Sequence, residues 1–169
     1  MKAVRLLGLS VILGLALATT AHAAKEMKIA YIDLSKIFDN YQKTKEYDVV
    51  LQKESDGFTQ QRDGMINKIR DAQGKLALLK EDEKQKVSAD IEKQKADLIE
   101  FDKQKRTELA KKRDEKVREI LLEIEKIVSD IAKKDGYDYI LNDRVLMYAD
   151  PSQNITDRVL KSLNDSYKK

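Results

Sequence analysis

The 169 residues contain one imidazole, His22, and no thiol or indole. Any chemistry must therefore come from 30 carboxylates, 33 Lys and Arg side chains and 7 tyrosines. That inventory rules out a thiol nucleophile, a Ser-His-Asp relay and the usual zinc and copper sites, all of which depend on Cys or His. A calcium site built only from carboxylates would need a D-x-[DN]-x-[DN]-G loop, which does not occur. No glycine-rich phosphate loop occurs either. Paired carboxylates could still cleave a glycosidic bond, but only in a cleft that shields them from water and moves their pKa values apart. The acids and lysines instead recur at the spacings of a solvated helix face, where each i,i+4 pair adds only about 0.2–0.5 kcal/mol. No enzymatic activity, cofactor, metal or small-molecule substrate is expected. Lys density alone does not indicate nucleic acid when acids balance it.

The N-terminus narrows the inventory further. Lys2 and Arg5 precede the apolar run Leu6 to Ala18, and Ala21-His22-Ala23 follows it. A positive start, a short apolar stretch and small residues at the cleavage positions describe a secretory signal peptide over residues 1–23, cleaved after Ala23. The run is short for a retained membrane anchor, and no Cys follows it to carry a lipid. The expected location is the periplasm. Cleavage would take away His22 and two basic residues but no acid, leaving 31 basic against 30 acidic side chains, a net of +1.

Charged residues make up 37% of the sequence, and the one proline is Pro151. Such a composition is either long helix or disorder, and periodicity decides. Lys28 to Asp33 is short, β-branched and aromatic, a strand leading to capping residues Asp33 and Ser35. From Ser35 to Leu79 one seven-residue series is wholly apolar: Leu51, Phe58, Met65, Ala72, Leu79. Tyr47, Ile69 and Leu76 widen the same face. Lys80 to Glu83 interrupts it, and Asp82 with Gln85 has the spacing of a capping box for a second helix, so a reversal belongs there. That helix carries Val87, Ile91, Leu98 and Phe101. A poor stretch from Asp102 to Lys116 follows, with only Leu109 and Ala110 apolar, and then a rich stripe from Val117 to Ile131. Gly136 suits its left-handed C-cap.

Facing positions in an antiparallel helix pair should have residue numbers with a constant sum. Leu79 with Val87 and Met65 with Phe101 give 166; Leu76 with Ile91, Ile69 with Leu98, Phe58 with Leu109 and Tyr47 with Ile120 give 167. One register thus zips both stripes into an arm roughly 50 Å long at about 1.5 Å rise per residue. Beyond Gly136, Tyr137 to Leu141 and Val145 to Ala149 read as two strands joined through Asn142-Asp143. Thr156 or Asn154 would cap a final helix bearing Val159, Leu160 and Leu163. Tyr31, Tyr137, Tyr139 and Tyr148 read as body packing.

The fold class expected is α+β, mostly α, with a helical hairpin arm over residues 35–134 whose tip lies at about 80–86. Residues 24–34 and 135–169 would form a β-rich body with a C-terminal helix. Three short strands cannot close a core or hide their edges, so oligomerisation is the expected remedy.

The segments Ile29 to Asp33, Gly136 to Leu141 and Tyr148 to Asn164, flanking a long charged hairpin, resemble the Skp/OmpH family of periplasmic chaperones. The C-terminal motif is the most specific part. The resemblance implies a homotrimer whose strands share a body and whose arms project as tentacles around a cavity. It also implies that unfolded outer-membrane proteins are held there without ATP. On that reading Ile29, Tyr31, Ile32, Ile140, Leu141, Val145 and Met147 build the trimer body. Tyr47, Leu51, Phe58, Met65, Ile69, Leu76, Leu79, Val87, Ile91, Leu98, Phe101 and Leu109 form the hairpin seam. The off-seam Ile66, Leu78 and Ile99, with tip lysines Lys80, Lys84 and Lys86, are the candidate client contacts. Gly57, Gly64 and Gly74 should each weaken the first arm helix by about 1 kcal/mol.

One departure concerns charge. The family often looks strongly basic, whereas a mature net of +1 predicts weak, salt-sensitive attraction to acidic clients and only weak contact with a membrane surface. The rival reading is an envelope coiled-coil adaptor, although efflux adaptors carry flanking β-domains that this sequence lacks.

Overall fold

A computed structural model describes residues 26–168; the signal-peptide assignment lies outside them. Strand β1 (Ile29–Ile32) runs into helix α1 (Leu34–Asn40), and Asp33 caps the junction by accepting a hydrogen bond from the Lys36 amide. Helices α2 (Gln42–Leu76) and α3 (Glu81–Asp135) form the hairpin. Strand β2 (Tyr139–Asn142) follows, then two single 3₁₀ turns at Asp143–Val145 and Pro151–Gln153, and helix α4 (Thr156–Tyr167) is the last element among the described residues. β1 and β2 pair in parallel, Ile29 with Tyr139 through Ile32 with Asn142. Parallel strands need a long crossover. Here the entire hairpin is that crossover.

The first arm helix does not run unbroken from Ser35. Tyr41 is extended (φ −65°, ψ 129°), so α1 stops and α2 restarts. Asp39 and Asn40, whose short polar side chains compete with helical hydrogen bonding, sit at the break. The amide of Gln42 is satisfied by Asn164 Oδ1 of α4 at 2.9 Å. α1 consequently belongs to the body, and the α2 arm begins at Gln42.

The tip also differs from expectation. α2 ends at Leu76 rather than Leu79, and α3 begins at Glu81, with Lys80 as its N-cap in place of an Asp82 capping box. Lys80 offers only its backbone carbonyl, which accepts from the amides of Glu83 and Lys84. The acids Glu81, Asp82 and Glu83 lie in the first turn, where the helix dipole favours negative charge. At the other end of α3, Gly136 is left-handed (φ 71°, ψ 35°), as its position after the last apolar residues required.

The second strand expected after the hairpin does not form. Asn142 accepts from the Arg144 amide and turns the backbone into a 3₁₀ turn, which ends the ladder. Val145 and Met147 are therefore exposed, and Tyr139 and Tyr148 stand in solvent rather than packing inward. The core of the body is built instead from Ala30, Ile32, Ile37, Tyr41, Ile155, Val159 and Leu163 together with Ile120, Ile124 and Ile131 of α3. The body thus reaches well into the last third of α3.

Candidate functional site

The surface most able to act is the arm, which offers two long helix flanks. Its seam is thin. Ile69 and Ile91 are buried; Tyr47, Leu51, Phe58, Met65, Leu76, Leu79, Val87, Leu98, Phe101 and Leu109 are half-buried. Heptad spacing turns these residues inward, but two helices alone cannot cover both sides of a seam, so each side chain keeps part of its surface in water.

The single register holds near the body and fails further out. Lys112 pairs with Glu54 at 2.9 Å, and Lys43 with Glu123 at 2.5 Å, both pairs with number sums of 166. Farther out Arg62 pairs with Asp102 at 3.3 Å, a sum of 164, and the rings of Phe58 and Phe101 lie 5.6 Å apart, a pairing with a sum of 159. The cause is the tip. Closing a turn between Leu76 and Glu81 forces low sums beside it, and long aromatic side chains reach along the seam to bridge the difference. Phe58 still borders Leu109, across a groove that also includes Gly57.

Among the off-seam candidates, Leu78 is 86% and Ile99 69% exposed. Ile66 is half-buried instead, because Arg62, Met65, Ile66 and Ile69 share one face and widen the seam there. Lys80 and Lys86 are exposed, and Lys84 is drawn to Glu81 at 3.3 Å. Four apolar residues near the root are exposed: Val49, Val50 and Leu122, which the pattern leaves out, and Leu121, which the apolar stripe of the second helix includes. Adjacent apolar pairs were the available signal, and both members of each pair lie outside the seam.

The root carries a polar network that the sequence did not announce. Lys43 Nζ donates to Glu119 Oε1 (2.6 Å) and Glu123 Oε1, and the buried Tyr41 donates its hydroxyl to Glu123 Oε2 at 2.9 Å. Hydrogen bonds from Lys116 and Lys43 hold the Glu119 carboxyl down at about 2. Burial, reinforced by Glu123, pushes the Tyr41 hydroxyl far above its ordinary value. Farther along the arm, Lys105 and Lys112 lower Glu108. The Glu119 and Glu108 carboxylates are held ionised by lysines, the setting of a structural ion pair.

In the body Ile32 is buried, Tyr31, Ile140 and Leu141 are half-buried, and Ile29 is exposed. β1 makes a bridge to Asn154 on the side away from β2, so among the described residues the free edge of the sheet is that of β2.

Fold and site together define a helical-arm protein, one that presents long flanks in place of an enclosed pocket. The family model for OmpH, described as Outer membrane protein (OmpH-like), matches residues 28–163, and the chain belongs to that family. Chaperone protein Skp of Yersinia enterocolitica is 31% identical over 161 residues, covering 89% of this chain and 94% of that protein. Chaperone protein Skp of Vibrio cholerae is 26% identical, covering 93% and 94%. The crystal structure of an OmpH-like protein from Caulobacter crescentus shares the fold, with a TM-score of 0.71 at 14% identity over 83% of this chain and 85% of its own.

Proposed function

We propose that the chain is an ATP-independent periplasmic holdase that keeps unfolded outer-membrane proteins from aggregating before they insert. The observation that carries this reading is the arm itself: a long flank of half-buried and exposed apolar side chains, Leu78 and Ile99 among them, interleaved with charge. Such a surface gives many weak contacts and no single pocket. Multivalent capture of that kind leaves a client mobile and able to leave when it folds elsewhere. Family membership and the Skp relatives support the same reading.

The working unit is a homotrimer. The unpaired edge of β2 and the exposed Ile29, Tyr139, Val145, Met147 and Tyr148 give further copies a place to pair and bury apolar surface. Export through a signal peptide cleaved after Ala23 brings it to the periplasm. Sizing by light scattering should give about three chains per particle; a monomer at micromolar concentration would overturn the assembly. Dilution of a urea-unfolded porin without nucleotide should stay clear at near one trimer per porin. Turbidity equal to that of porin alone would rule out the holdase and favour an adaptor.

A further inference from the structure

The arm joins the body through one broken helix, α2, and one continuous helix, α3. α2 restarts at the Tyr41 break. The stripe of α3 from Arg106 to Leu122 has its back open to solvent, in a shallow groove that no other element lines among the described residues. The first turns of α2 are flanked by α3 and by the end of α4. We propose that the last turn of α4 is a latch that fixes the root of the arm, with Tyr167 as its positioning residue.

Tyr167 holds two elements at once. Its hydroxyl donates to Glu46 Oε2 of α2 at 2.6 Å, and its ring meets the Tyr41 ring edge-on at 5.8 Å. One turn earlier, Asn164 supplies the acceptor for the Gln42 amide freed by the break. The latch is well anchored, because Val159 and Leu163 on the same helix are fully buried in the core, and Arg158 pairs with Asp135 at the far end of α3. Room to move lies on both sides. Tyr167 lines a cleft of about 580 Å³ with Tyr47, Val50 and Ile120, and another of about 460 Å³ with Tyr41, Ile127 and Leu163. With the tyrosine in place, the first turns of α2 are tied to a helix rooted in the core. Without it they keep the Asn164 acceptor at Gln42, the Tyr41 hydroxyl on Glu123 and Lys43 between Glu119 and Glu123, the last a pairing that tolerates rotation because an ammonium is a point charge. The consequence for clients rests on the chaperone reading: a released root lets the arms splay and shifts capture toward larger unfolded chains.

The test uses full-length mature protein in which one chain carries spin labels at the exposed positions Asp39 and Ile99, diluted into unlabelled chains. Wild type should give a narrow distance distribution, Tyr167→Ala a distribution about twice as wide, and Tyr167→Phe an intermediate width. Glu46→Gln, which keeps an acceptor for the hydroxyl, should match wild type. A wild-type width in Tyr167→Ala with α4 still protected from amide exchange would overturn the latch, as would a Glu46→Gln distribution as wide as that of Tyr167→Ala. If α4 unravels in the alanine variant, Tyr167→Phe takes its place, and an unchanged width there overturns the proposal. Porin capture is measured on the same samples. Wild type failing to suppress aggregation would remove the chaperone reading and leave the distances to decide the latch.

Discussion

The body and the arm are built from one helix held in two ways. Where α3 passes through the body, Ile120 and Ile124 are fully buried and Ile131 nearly so, covered by β1, α1 and α4 as well as by each other. Farther out the same helix has one flank on α2 and the rest in water, and Ile91 is its only fully buried residue. Hydrophobic stabilisation scales with area removed from water, so the two stretches differ in stability although their backbone hydrogen bonding is the same. A stiff base and a soft arm follow from the number of layers around each, and capture of varied clients needs that difference.

The comparison can be broken most forcefully in the body. Ile120→Ala should destabilise the whole protein by about 2–5 kcal/mol, because its neighbours are fixed and cannot collapse into the space. Thermal denaturation should show a single large drop in midpoint. Ile91→Ala in the arm should leave that midpoint nearly unchanged and raise amide exchange only around the tip.

The arm can be stiffened without touching the body. An added Cβ at Gly57, Gly64 or Gly74 meets nothing within 4 Å. Each Gly→Ala change should stabilise α2 by about 0.5–1 kcal/mol. The triple variant should slow amide exchange in the arm and narrow the range of client sizes held, read by titration with unfolded porins of different length.

Acid should loosen the root next. The Glu119 carboxyl is lowered from an ordinary 4.5 to about 2 by Lys116 and Lys43, and Glu46 is lowered by the Tyr167 hydroxyl. A depressed carboxyl stabilises the folded state fully above its unfolded value and loses that contribution as pH falls through the folded one. Stability should therefore decline from about pH 4.5 toward pH 2, and Lys43→Met should flatten the slope in a pH series of melting curves. The effect is modest because the Glu119 side chain is 42% exposed to water. Smallest of all is the exposed pair Lys105 and Glu108: Glu108→Gln should leave the midpoint of a urea titration within error of wild type.

The sequence made the hairpin legible because its helices repeat one pattern over many turns, and Gly136 marked the end of α3 by its conformation. The family was legible from short motifs at either end of the arm. What escaped was set by single side chains acting across long sequence distances. The break at Tyr41 is stabilised by Asn164, some 122 positions away. The second strand was lost to the 3₁₀ turn at Asp143–Val145, where the Leu146 amide donates to the Asp143 carbonyl in place of a ladder partner. Ile66 read as off-seam because a strict seven-residue count ignores how a neighbour three or four positions on can widen a face. The register drifted because the turn at 77–80 and the body each set their own alignment, and a thin seam does not force agreement.

Amide hydrogen exchange along α3, with and without a bound unfolded porin, tests the division of labour most directly. Protection should be high from Ile120 to Ile131, lower by about two orders of magnitude from Glu81 to Leu98, and raised by client only in the outer stretch. Uniform protection along α3, or client-induced protection confined to the body, would contradict it.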